Sequence, residues 1–315
     1  MSVITIKRLF FFFLIISIFI SNFSFSVAGE AEQWAKHPEW LWFDDFESSK
    51  TLKENYQDIG DAGLGISTID AFEGTHSLAQ HYDSGQVDAG WIIRVNNEGF
   101  PSHLFMRWYH KFENGFDGLP PKMARMRYRQ RNGDWKSTYA VHCWIDNGLV
   151  VADVTAKKSS QANNTGYLPI AKSNFSFKNP ENIGRWICFE MEVLLNKPGA
   201  ADGIYRIWAD DSLIIERKNV DLRGSDSTPV NEVMLDCYWN GGSPKAQNRY
   251  YDNFIISTKK IGPIQKTTGT NKINSEKKPK NNSSSSLQGF LHHNKKWYNG
   301  VYCTNFTGIE KVVFH

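Results

Sequence analysis

The chain has 315 residues and a formal net charge of +3, with 41% hydrophobic and 14% aromatic side chains, including 11 Trp. That apolar content supports a substantial core and excludes a disordered chain. Four widely spaced cysteines, Cys143, Cys188, Cys237 and Cys303, exclude a zinc ribbon or a CxxC redox centre; one disulfide at most fits, and buried free thiols are expected.

Lys7 and Arg8 precede an apolar run from Leu9 to Ile20, and Ser26-Val27-Ala28 supplies the small residues of a signal-peptidase site. The run is short for a membrane span and no later segment is apolar enough for one. Residues 1–28 are therefore predicted to be a signal peptide, and the mature protein to be secreted, periplasmic or at the cell surface without membrane insertion. Residues 29–264 read as one domain. Residues 265–288 shift to Lys, Asn, Ser and Thr and read as a disordered linker. Residues 289–315 are too short for a core of their own, and their role is open.

Within the domain the dominant period is two. Ile187, Phe189, Met191, Val193 and Leu195 alternate with Cys188, Glu190 and Glu192; Tyr205, Ile207 and Ala209 alternate with Arg206, Trp208 and Asp210; Tyr250, Asp252, Phe254 and Ile256 alternate with Tyr251, Asn253 and Ile255. Turn signals separate such runs, among them Asn114-Gly115, Asn132-Gly133, Asp146-Asn147-Gly148 and Gly241-Gly242. Short alternating strands without a long amphipathic helix predict an all-β fold, a sandwich of two antiparallel sheets.

Charge is uneven along these strands. Residues 103–136 carry eight Lys or Arg against three acids, whereas residues 29–264 as a whole carry 26 bases and 31 acids. On strand-like segments the bases can form a stripe on a sheet face, which suits an acidic polymer. The period of two puts Arg107, Tyr109 and Lys111 on one face of their strand, Arg125, Arg127 and Arg129 on one face of the next, and His142 with Trp144 on a third. If these faces line one groove, it holds cations, proton carriers and a stacking ring. Arg127, mid-strand among charged neighbours, is expected to lie outside the core. No nucleotide-binding glycine loop or HExxH motif occurs, and no nucleic-acid partner is expected.

Several segments resemble the concanavalin A-like jelly-roll proteins that handle polysaccharides: Phe43-Asp44-Asp45-Phe46-Glu47, Gly74-Thr75-His76-Ser77-Leu78, Asp202-Gly203 through Trp208, and Tyr250-Tyr251-Asp252-Asn253-Phe254. Lys111-Phe112 through Gly115-Phe116, followed by Pro121-Lys122-Met123-Ala124-Arg125, resembles the polysaccharide lyases of family 14, which cleave alginate and glucuronan. In that family a Lys-Leu-Pro-Gly-Leu stretch places its lysine in the active groove; here the lysine is Lys122, and the Pro-Gly-Leu is absent. The family's Tyr-x-Tyr strand is similar to Tyr139-Ala140-Val141-His142.

The resemblance implies β-elimination on a uronate-containing polysaccharide. Lys122 or Arg127 would neutralise the carboxylate, Tyr109, Tyr139 or His142 would move protons, and Arg107, Lys111, Arg125, Arg129 and Trp144 would bind the chain. The alternative is a non-catalytic glycan-binding or adhesion module on the same fold, favoured by the missing second tyrosine. A hydrolase is disfavoured, since no E-x-D-x-E run occurs. No cofactor is required, but the resemblance brings Glu47 and Asp252 together as ligands of a structural calcium. A monomer is expected.

Overall fold

A computed structural model describes residues 29–48, 52–130, 137–264, 295–298 and 301–304. The expected signal peptide 1–28 and linker 265–288 lie outside the described residues. In chain order the strands are β1 (Trp40–Asp44), β2 (Asp58–Gly60), β3 (Leu64–Ser67), β4 (Ser77–Tyr82), β5 (Trp91–Val95), β6 (His103–Phe112), β7 (Lys122–Arg129), β8 (Ser137–Asp146), β9 (Leu149–Ala156), β10 (Ala171–Ser176), β11 (Ile187–Leu194), β12 (Gly203–Ala209), β13 (Ser212–Val220), β14 (Glu232–Leu235) and β15 (Gln247–Ser257).

They form two antiparallel sheets, a jelly-roll β-sandwich. The first runs β13-β12-β11-β6-β15-β4-β3, with β1 also paired to β15; the second runs β10-β9-β8-β7-β14-β5-β2. Lys295–Tyr298 pairs antiparallel with Val301–Thr304 as a hairpin of its own. Among the described residues no helix is long and apolar enough to cross a membrane.

The core follows the predicted alternation. Ile187, Phe189, Met191 and Val193 from β11 and Met106, Trp108 and Phe112 from β6 meet Met126, Val141, Cys143, Val150, Ala152 and Val154 from the second sheet. Cys143, Cys188 and Cys237 are buried free thiols. The β8–β9 hairpin turns at Asn147-Gly148, both at positive φ, as the sequence signal required.

Two strands depart from the simple pattern. β12 ends at Ala209, one residue before the expected alternation stops, because Asp210 and Asp211 both take positive φ to make the turn into β13. In β15 the register shifts between Asp252 and Ile255, with Asn253 at φ 43°. The bulge switches parity, so Tyr251, Phe254 and Ile256 all face the core, whereas strict alternation had put Tyr251 opposite the other two.

The bulge also decides how Asp252 is used. Its carboxylate accepts the backbone N–H groups of Phe72 (2.8 Å), Glu73 (3.3 Å) and Asn253 (2.7 Å). Glu47 accepts from Thr75 N (2.7 Å), His76 N (2.5 Å) and the Thr75 hydroxyl (2.9 Å), and its Oε2 lies 3.0 Å from His76 Nδ1. Burial pushes the Glu47 carboxyl up, but these hydrogen bonds outweigh it and hold it at about 2. Donors thus surround both carboxylates, and no group of three or more His, Cys, Asp or Glu among the described residues is placed to hold a metal.

Candidate active site on the second sheet

The outer face of the second sheet is built by β7, β8, β9 and β14. Entry to β7 is set by the turn at Gly115 (φ 71°), after which Phe116 packs on Phe112 with ring centroids 4.4 Å apart. β7 then begins with a bulge: Lys122 pairs with Trp144 and Ala124 with Cys143, so Met123 is an extra residue turned into the core. Lys122 and Arg125 are three apart and would face opposite ways in a regular strand. The extra residue puts both on the outer face, beside Arg127 and Arg129.

There Lys122, Arg125 and Arg127 line a cavity of about 280 Å³ with Ser137, Ala140, His142, Trp144, Thr155, Lys157 and Tyr167. Lys122 Nζ lies 3.1 Å from the centre of the Trp144 ring, and the His142 ring is 4.1 Å from the same indole. Burial, then the nearby Arg125 charge, lowers the Lys122 ammonium to about 8 against the pull of Asp153. His142, only 4% exposed, is held neutral: burial first, and then Arg125, Lys122 and Arg127, push its protonation well below the usual range. Asp153 pairs across the ladder with His142, and burial raises its carboxyl.

This surface also gathers buried polar atoms without hydrogen-bond partners: Arg125 Nε, His142 Nδ1, Trp144 Nε1 and Asp153 Oδ1. Such atoms are uncommon in folded proteins, and three of these four belong to residues that line the cavity, where a polar ligand or water could satisfy them.

Most of the basic stripe is internally neutralised. Arg127 is 0% exposed, and its Nε donates to Glu232 Oε2 at 2.7 Å; Arg129 bonds the same carboxylate and reaches Asp58 Oδ2 at 2.9 Å. Arg125 pairs with Asp236. Among the described bases of the stripe, Lys122 alone has no carboxylate within ion-pair distance. Arg131 and Lys136 lie outside the described residues. The expectation that Arg127 sits clear of the core is therefore corrected: it is the buried floor of the cavity.

The expectation of a single groove lined by all three strand faces is also corrected. Arg107, Tyr109 and Lys111 belong to β6, on the outer face of the other sheet. Arg107 is paired with Glu30 and donates to Asn253 O (3.2 Å). Lys111 meets Asp70 at 2.5 Å. The Tyr109 ring stacks on Phe72 at 3.5 Å, and its hydroxyl accepts Ile264 N at 2.7 Å. Tyr139 is on the second sheet but faces the core, its hydroxyl donating to Thr228 O at 2.9 Å. The structure thus brings together Lys122, Arg125, Arg127, His142 and Trp144, while Arg129 does not line the cavity and is held by Glu232 and Asp58. It adds Asp153, Lys157 and Tyr167, which were not anticipated. Asp153 had a usable signal, the one charged residue in the strand-like run Leu149–Ala156; Tyr167, 42% exposed in a loop, had none.

The polysaccharide lyase 14 family model matches residues 124–254. The family PL-14 alginate lyase from Aplysia kurodai has a TM-score of 0.53 at 14% identity, covering 71% of this chain and 99% of that chain. The alginate lyase from Chlorella virus has a TM-score of 0.50 at 14% identity, covering 74% and 98%. The endo-β-1,4-glucuronan lyase from Trichoderma reesei has a TM-score of 0.47 at 17% identity, covering 71% and 93%. No curated protein matches the sequence. At these identities the first two solved structures show a shared fold. The family match extends the resemblance first seen at Lys111–Arg125 through to β15.

Proposed function

We propose that this protein is a polysaccharide lyase that cleaves an acidic, uronate-containing glycan by β-elimination outside the cytoplasm, in the cavity on the second sheet. The observation that carries this reading is Lys122, a half-buried lysine lowered to about 8 and aimed into a cavity with Arg125 and His142. A lysine with that protonation range is a competent base near neutral pH, which an ordinary surface lysine is not. The family match over residues 124–254 supports the reaction class.

In this reading Arg125 and the neutral imidazole of His142 hold the uronate carboxylate and stabilise the charge that develops as the adjacent C5–H bond breaks. Lys122 takes that proton. The C–H electron pair becomes the C4=C5 double bond, the C4–O bond breaks, and the departing oxygen takes a proton from Tyr167 or from water. Arg127, Arg129 and Glu232 keep the floor rigid. Arg107, Lys111, Tyr109 and Tyr139 take no part, since they face elsewhere.

The test is incubation with alginate, glucuronan and glycosaminoglycans, following the absorbance of the unsaturated uronate. No product from any of them at any pH removes the enzymatic reading. A second reading, a glycan-binding module without turnover, draws support from Tyr139, whose hydroxyl is turned into the sandwich. Retardation in glycan-containing gels without product formation would select it.

A further inference from the structure

We infer that the glycan is a heteropolymer in which the uronate is joined to an uncharged sugar, and that the uncharged sugar occupies a second hollow beside the first. This rests on the reading of the Lys122 cavity as the uronate site. The second hollow, about 360 Å³, is lined by Asp88, Trp91, Met234, Asp236 and Tyr238, and it shares Lys122 and Arg125 with the first. The two are therefore neighbouring positions along one bound chain, separated by the bases that act on the bond between them.

Their charge balance differs. The first hollow is lined by Lys122, Arg125, Arg127, Lys157 and His142, and the acid beside it, Asp153, which pairs with His142 across the ladder, has its carboxyl raised by burial. The second carries two carboxylates, and one of them, Asp236, already pairs with the Arg125 guanidinium. Both are fixed in place. Asp88 Oδ1 accepts Gly90 N at 2.9 Å and lies 3.2 Å from Cys237 Sγ, and Asp236 Oδ1 accepts Cys237 N at 2.9 Å. A uronate placed here would meet Asp88, which has no cation within ion-pair distance among the described residues, and an Arg125 whose charge Asp236 already balances. A neutral sugar would meet carboxylate acceptors for its hydroxyls and apolar surface for its C–H face.

That surface is prepared in advance. Trp91 Nε1 donates to Asp58 Oδ1 at 3.2 Å, which fixes the ring. The indole rests on Gly60, where an added Cβ would come within 2.5 Å of ring carbons, so only glycine lets the ring lie as it does. Tyr238 stands 42% exposed on the same hollow. An anchored indole with a tyrosine on the same hollow is what stacking on a sugar requires, and it costs little conformational freedom on binding.

The experiment compares all-uronate chains, alginate and glucuronan, with chains alternating uronate and N-acetylhexosamine, hyaluronan and unsulfated chondroitin. It reads gel-retardation affinity and unsaturated product for the wild type and for Trp91→Ala, Tyr238→Ala and Asp88→Asn, each checked for folding by circular dichroism. Alternating chains are expected to bind at least roughly 10-fold tighter, with Tyr238→Ala and Trp91→Ala each losing roughly 10-fold on them. Asp88→Asn should narrow the preference by admitting all-uronate chains. Tyr238→Ala, an exposed position, keeps the test alive if Trp91→Ala misfolds. All-uronate chains bound or cleaved as well as alternating ones overturn the inference and leave the lyase reading standing. Tyr238-dependent binding of alternating chains without product does the reverse. Absence of binding to all four polymers overturns both.

Discussion

At the scale of single residues, Lys122 and His110 show what burial does to a basic group in two settings. Lys122 stays reachable from the cavity, and its lowered protonation range makes it available as a base. Turnover (kcat/KM) should therefore rise with pH through about 8 as the ammonium loses its proton. Lys122→Ala should lower turnover by roughly 100-fold or more, and Lys122→Arg should do the same while preserving the charge, because a guanidinium does not deprotonate in this range. A pH–rate profile of wild type beside Lys122→Arg checks this; an unchanged profile in the variant would assign the proton to another group.

His110 is the opposite case. It is fully buried among Phe112, Phe177, Phe189 and Tyr251, and neither ring nitrogen has a hydrogen-bond partner. Burial, aided by the charge of Arg249, keeps it neutral well below the usual range. His110→Leu should stabilise the fold by roughly 1–3 kcal/mol by removing two unsatisfied polar atoms. The sign of the pH effect follows. The unfolded histidine takes a proton below about 6.5 and the folded one does not, so wild-type stability falls on the acid side. The variant escapes that loss, and its advantage should grow by ~1.4 kcal/mol per pH unit below that point, until the folded histidine itself titrates. Urea melts at two pH values read both numbers.

At the scale of elements, β7 presents charge outward, but its stability depends on β14. Glu232 sits opposite Arg127 in the ladder and holds Arg127 and Arg129 together. Arg127→Ala should cost ~3–5 kcal/mol, because it leaves Glu232 buried with one partner fewer. Turnover per folded molecule should change far less than the melting temperature. The fate of this strand shows what could be read in the sequence. The alternation from Arg125 to Arg129 is local, and it gave the right face for all three arginines. Their partners Asp58, Glu232 and Asp236 stand 71 to 111 positions away, so no local pattern announces that the stripe is neutralised. The bulges at Met123 and Asn253 were equally invisible, because an extra residue in a strand leaves composition and local propensity unchanged. Strict alternation therefore grouped Tyr250 and Asp252 with Phe254 and Ile256, and offered no reason for Lys122 to share a face with Arg125.

At the scale of the whole molecule, the sandwich separates two charged surfaces that the sequence had merged. Arg107 and Lys111 lie on the outer face of one sheet and the cavity on the outer face of the other, with the aromatic core between them. Turn signals and period-two runs were sufficient for the architecture, but strand adjacency was not, since β6 and β7 follow each other in sequence and belong to different sheets. The consequence is a weaker field at the cavity than eight bases suggest. Glycan affinity should fall by less than ~10-fold between low and physiological salt, rather than by the large factor an open basic stripe would give. Gel retardation at graded ionic strength measures this, and a steep loss would mean that paired arginines release their carboxylates to meet the ligand.

The extra residue at Met123 has a consequence for how such a chain diverges. A reading frame that loses this one codon keeps every side chain of the groove in its genome and every turn of the sandwich. Without Met123, Lys122 stands two positions before Arg125, the spacing that puts both on one face of a regular strand, so the Lys122 amine keeps the groove side and the core alone loses a side chain. The bulge can thus be lost without turning the groove over, whereas a chain that keeps Met123 but straightens the strand would turn Lys122 inward. Deleting Met123 should therefore lower the melting temperature while glycan retardation is retained; loss of retardation in a folded deletion protein would show that the bulge itself shapes the groove.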